Sequence, residues 1–127
     1  MKLSKSYVLV FDQQSDDLRA LEMLLQPLKC PVVVTNSVDQ TMAIVSQTHP
    51  SLVILVGNDQ HRSHALANQL RTMDRMGKAT IVALTDFHAP RWLHQDDNSV
   101  LDGFLVKPVS GEILTSLVQS AWARQTC

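Results

Sequence analysis

The chain lacks any apolar run long enough to cross a bilayer. Its longest uninterrupted aliphatic stretch, Leu52 to Val56, falls far short of the roughly 20 residues that a spanning helix needs. It lacks a signal-peptide pattern too, because Lys2 and Lys5 precede only the brief apolar segment Tyr7 to Phe11. Its two cysteines, Cys30 and Cys127, have no metal-ligand spacing and are too few for a secreted disulfide scaffold, so a reducing cytoplasm is the expected compartment. No Lys/Arg cluster occupies one helical face, and the formal net charge is −1, which argues against unaided nucleic-acid binding through phosphate neutralisation. Repeats, linkers and low-complexity segments are absent as well. What remains is a 127-residue chain that is 45% hydrophobic, enough to bury a real core. One compact domain over residues 1–127 is expected, with no segment left over for an output domain.

Apolar runs and helical spacings alternate along that domain. Tyr7-Val-Leu-Val-Phe11 is apolar without polar alternation, as a parallel strand covered on both faces should be. Asp16 and Asp17 suit the start of a helix through capping and the helix dipole, and Leu18, Leu21, Leu25 and Leu28 mark one face of it. Pro27 should disturb or end its last turn. Pro31-Val-Val-Val-Thr35 is a second strand, rich in β-branched residues. Ser37 and Gln40 have capping-box spacing for a helix that carries Val38, Met42 and Val45 inward. Strand three follows His49-Pro50. Leu66, Leu70 and Met73 then fall at helical spacing before Gly77. Thr80 to Thr85 reads as strand four and Gly103 to Lys107 as strand five, closed by Pro108. Ser110 caps a final helix with Ile113, Leu114, Leu117, Val118 and Ala121. Between Asp86 and Asp102 the pattern is poor, and a short or irregular fourth helix is expected there. The βα alternation predicts an α/β fold with a parallel sheet and helices on both faces.

These units, with Val8-Leu-Val-Phe-Asp12, Ile81-Val-Ala-Leu-Thr85 and Asp102-Gly-Phe-Leu-Val-Lys107-Pro108, resemble the receiver domain of two-component signalling over nearly the whole chain. The resemblance implies a flavodoxin-like, five-stranded parallel sheet of order 2-1-3-4-5. It also implies a pocket at the carboxyl ends of the strands. Two acidic residues after strand one and an aspartate ending strand three hold magnesium there, and the latter accepts a phosphoryl group. A hydroxyl after strand four and a lysine after strand five bind phosphoryl oxygens. This chain keeps Asp12, Thr85 and Lys107 but has Gln13 at the second acidic position and Val56 at the acceptor position. An isopropyl group can neither attack phosphorus nor ligate a divalent ion. The resemblance is therefore to a non-phosphorylatable pseudo-receiver, non-catalytic and without cofactor or metal.

Function is then expected on the surface. In the 2-1-3-4-5 order strand two lies at a sheet edge. Here it is Cys30-Pro-Val-Val-Val-Thr35, with no charged residue inside it. Cys30, Val32, Val33, Val34 and Thr35 are the candidate partner-binding edge, by strand addition. A short edge guarded by Pro31 is the plainer alternative. The missing acceptor, the retained Lys-Pro and the unguarded second strand resemble the pseudo-receiver domain of a cyanobacterial circadian input kinase. That likeness implies docking of the clock protein KaiB and regulation of a histidine kinase.

Plainer readings stand beside the other candidates. Asp12 and Lys107 read as a structural ion pair, Thr85 as a strand-end hydrogen-bonding residue and Phe104 as a packing residue. His61 and His64 have a spacing that would suit metal on a helix but read better as surface histidines without a third ligand, Asp96-Asp97 as a solvated loop, and Trp92 and Trp122 either as interface anchors or, equally well, as partly buried residues. Two other functions are open: a receiver phosphorylated at Asp59, and a flavodoxin-like enzyme or flavin carrier. The acidic first loop, Asp12 to Asp17, disfavours the latter because it repels phosphate.

Overall fold

Residues 7–12, 17–28, 31–56, 60–72, 79–85, 102–106 and 110–126 are described by the computed structural model. The strands are β1 (Val8–Asp12), β2 (Val32–Thr35), β3 (Leu52–Val56), β4 (Thr80–Thr85) and β5 (Gly103–Val106). The helices are α1 (Asp17–Leu25), α2 (Val38–Val45), α3 (Gln60–Arg71) and α4 (Gly111–Thr126). All strand pairs are parallel, and the sheet order is β2-β1-β3-β4-β5, as the resemblance implies. The segment expected to form an irregular helix before β5 lies outside the described residues, as does Met73.

The unalternating strands β1 and β3 explain the sandwich. Every residue of β3 is buried, and its alternate side chains serve opposite faces. Val53 and Leu55 join Leu9, Phe11, Ile81 and Ala83 beneath α2 and α3, which contribute Val45, Leu66 and Leu70. Leu52, Ile54 and Val56 join Val8, Val10, Val82 and Leu84 on the other face, under Leu21 and Leu25 of α1 and Leu114, Val118 and Ala121 of α4. Each buried Val, Leu, Ile or Phe among them contributes roughly 1.5–3 kcal/mol by leaving water, so these two layers hold the sheet.

Local signals set the helix ends. α1 stops at Leu25 and tightens into a 3₁₀ turn over Gln26–Leu28, where Pro27 has no N–H to continue the helix. Ser37 caps α2: its Oγ accepts the Gln40 N–H at 3.1 Å. The return bond differs from the expected capping box, because Gln40 Oε1 accepts the N–H of Asn36 rather than of Ser37. Ser110 caps α4 through the Ile113 N–H at 3.2 Å. Ile113 itself is 57% exposed, because the buried stripe of α4 runs through Leu114, Val118 and Ala121. Trp122 is partly buried against the same layer.

The amino-terminal end of the sheet is fastened by polar groups. Tyr7 donates its hydroxyl to the Thr48 carbonyl at 3.0 Å, and the Thr48 hydroxyl donates to Tyr7 at 3.2 Å. Burial pushes the Tyr7 phenol above its ordinary pKa, partly offset by the Thr48 bond. Arg71 at the end of α3 pairs with Asp102 and donates to the Ala79 carbonyl at 3.2 Å. Asp102 Oδ2 also accepts the buried Ile81 N–H at 2.7 Å. This clamp ties α3, β4 and the start of β5 together.

Candidate functional site

Parallel strands end at one edge, so the carboxyl termini of β1, β3, β4 and β5 converge without any long-range design. Asp12 closes β1 and pairs directly with Val56, which closes β3. Leu55 pairs with Ala83, so Thr85 closes β4 at nearly the same level, and Thr85 pairs with Val106 at the end of β5. The backbone thus gathers Asp12, Val56, Thr85 and Val106 at one edge. Lys107 and Gln13 lie outside the described residues, as do Asp59, Trp92 and Asp96-Asp97. His61 and His64 fall within α3.

Val56 is 0% exposed and belongs to the apolar layer with Val10, Ile54 and Leu84. Magnesium, which the receiver resemblance implies, takes near-octahedral oxygen ligands. The central position of that ligand set is filled here by a buried hydrocarbon side chain, so the residues do not fit the ion. Among the described residues no three His, Cys, Asp or Glu side chains gather into a metal site. The same isopropyl group offers no nucleophile for phosphoryl transfer.

The edge strand is the second candidate site, and register dissects it. The Val8 N–H donates to the Pro31 carbonyl at 2.9 Å, and Val8 pairs with Val32. In a parallel ladder, alternate residues turn both main-chain groups to the same side. Pro31, Val33 and Thr35 therefore face β1, while Val32 and Val34 direct their N–H and C=O outward. The expectation that Val32, Val33 and Val34 all supply pairing groups is corrected to Val32 and Val34. Sequence alone could not assign this alternation, since it depends on which residue meets Val8. Thr35 is 1% exposed, and its hydroxyl is 2.6 Å from that of Thr41. Thr41 in turn donates to the Ser37 carbonyl at 2.8 Å, so Thr35 donates to Thr41 and its side chain is committed inward. Val32, Val33 and Val34 are each half-buried, and Cys30 lies outside the described residues.

One hydrophobic residue escaped the sequence reading. Met23 on α1 is 68% exposed and, with Arg19, Glu22, Gln26 and Val32, lines a groove of about 440 Å³ beside the β2 edge. Spacing gave the signal: Arg19, Glu22, Met23 and Gln26 follow the i, i+3, i+4, i+7 pattern of one helical stripe.

No family model matches the sequence, and no curated protein matches it. Solved structures are similar along almost the full length. One is the signal receiver domain of a signal transduction histidine kinase from Syntrophus aciditrophicus, 18% identical, covering 93% of this chain and 90% of that one with a TM-score of 0.76. Another is a CheY-like response regulator receiver domain from Methylobacillus flagellatus, 20% identical over 93% of this chain and 99% of that one, TM-score 0.76. A third is the receiver domain of a sensor histidine kinase from Pseudomonas aeruginosa PAO1, solved with magnesium coordinated in its active-site cleft. It is 14% identical over 92% of this chain and 97% of that one, with a TM-score of 0.77. At such identities the likeness establishes the fold: this chain is folded as a receiver domain.

Proposed function

We propose that this receiver fold works as a pseudo-receiver, a protein-docking module in two-component signalling that is not switched by phosphorylation. The observation that carries the reading is Val56, buried and aliphatic beside Asp12 at the strand ends where the resemblance calls for an acceptor carboxylate. Gln13 weakens the same pocket, since it substitutes a neutral amide for a second carboxylate. Asp12, Thr85 and Lys107 then serve the fold rather than phosphoryl chemistry. The partner adds a strand to β2, pairing with the outward groups of Val32 and Val34. Following the resemblance to circadian input kinases, KaiB is the partner to test first, and a histidine kinase is the enzyme regulated.

Two proline variants test the docking strand. Val34→Pro removes an outward N–H, which an edge strand tolerates. It should lower capture of KaiB at least about tenfold while the far-UV spectrum and melting temperature stay near those of the parent. Val33→Pro removes an inward donor to β1 and should instead destabilise the fold by roughly 1–3 kcal/mol. Unchanged capture by folded Val34→Pro would refute docking through β2.

A further inference from the structure

The β2 edge and the exposed stripe of α1 lie on one continuous surface. Val32 and Val34 pack on the layer that holds Leu21 and Leu25, and Val32 shares a groove with α1, so α1 lies over the β2 side of the sheet. The stripe Arg19, Glu22, Met23, Gln26 borders the groove that Val32 closes. A four-residue strand alone is too small to bury the roughly 1,200 Å² of a stable interface. An occupant must therefore cover the α1 stripe as well, and Met23 in particular.

We infer that this surface pairs with a second copy of the chain about a two-fold axis, β2 against β2 and α1 against α1. The inference rests on the reading of β2 as a docking edge: a second copy occupies that edge until a partner's strand displaces it. Antiparallel pairing of the two edges at about 4.8 Å would make one continuous ten-stranded sheet. Each α1 covers its own edge, so the two helices would come side by side near the roughly 8–10 Å of packed helices. Such an interface must be self-complementary. β2 qualifies because it carries no charge to oppose its own copy. The α1 stripe qualifies because Arg19 and Glu22 have opposite sign and stand one turn apart. Two-fold pairing sets Arg19 of each copy towards Glu22 of the other, twice over, and lays the two Met23 side chains into a shared apolar centre.

Sedimentation velocity of the 127-residue chain across a micromolar to near-millimolar series tests this. A concentration-dependent dimer is expected. Arg19→Glu and Glu22→Arg should each weaken it about fivefold, because the modest energy of an exposed ion pair counts twice, and the double swap should restore it. Val34→Pro should abolish it. A chain that stays monomeric throughout, or a dimer indifferent to the charge swaps and to Val34→Pro, overturns the inference. The charge swaps decide the matter even where Val34→Pro fails to fold. Monomer with intact, Val34-dependent capture of KaiB sinks the self-pairing alone. A dimer obeying the swaps while capture ignores Val34→Pro sinks the KaiB reading alone.

Discussion

At the amino-terminal end of the sheet, polar side chains fasten strands to helices: Tyr7 to Thr48, Arg71 directly to Ala79, and Arg71 through Asp102 to Ile81. At the carboxyl end, where receiver chemistry is carried out, β1 and β3 close with Asp12 beside a buried Val56. The first end is built for attachment, with the side chains of Tyr7, Thr48, Arg71 and Asp102 all paired. The second gathers its strand ends around hydrocarbon, with Val56 fully buried. The geometry of these strand ends comes from strand pairing and apolar layers and does not depend on which side chain closes β3.

The sharpest way to break this contrast is to install the missing carboxylate. Val56→Asp places a carboxyl in the layer of Val10, Ile54 and Leu84, and unfolding free energy should fall by roughly 3–5 kcal/mol in urea titration. A variant as stable as the parent would mean that the carboxyl end is far wetter than the burial of Val56 indicates. At the opposite end, Asp102→Ala should cost about 2 kcal/mol, because the buried Ile81 N–H loses its acceptor along with the Arg71 pair. An effect below about 0.5 kcal/mol would reduce the clamp to an ordinary surface ion pair.

The smallest effect concerns pH. Tyr7 has a raised pKa in the fold, so the folded state holds its proton more tightly than the unfolded chain. Its contribution is complete below the unfolded value near pH 10 and is lost as pH rises through the folded value. Alkaline melting curves should therefore show stability falling above about pH 10, and Tyr7→Phe should flatten that fall. An equal slope in both proteins would assign it to other groups.

Most of the fold was legible in the chain because its signals are local and strong. The unalternating runs around Val8 and Ile54 read as doubly covered strands, Pro27 and Ser37 as helix boundaries, and the resemblance supplied the strand order. The site was legible only as identities, with Val56 and Gln13 where the resemblance expects carboxylates. What sequence could not reach was orientation. Val33 and Val34 are the same residue type in adjacent positions, yet register turns one backbone inward and the other out. Ile113 and Met23 look like core residues by type, but rotation about their helices leaves both exposed. The Asp102 clamp was missed for a similar reason, since its partners Arg71 and Ile81 are distant in sequence and meet only through the β4–β5 pairing.

The central claim is that the carboxyl edge holds neither magnesium nor a phosphoryl group. Amide NMR of the chain titrated with Mg²⁺ and beryllofluoride, alongside intact-mass measurement after acetyl phosphate, tests it most directly. The expected result is an unshifted spectrum around Asp12, Val56 and Thr85 and no added phosphoryl mass. A Mg²⁺-dependent adduct, at Asp59 or anywhere else, with shifts spreading from these strand ends would contradict it.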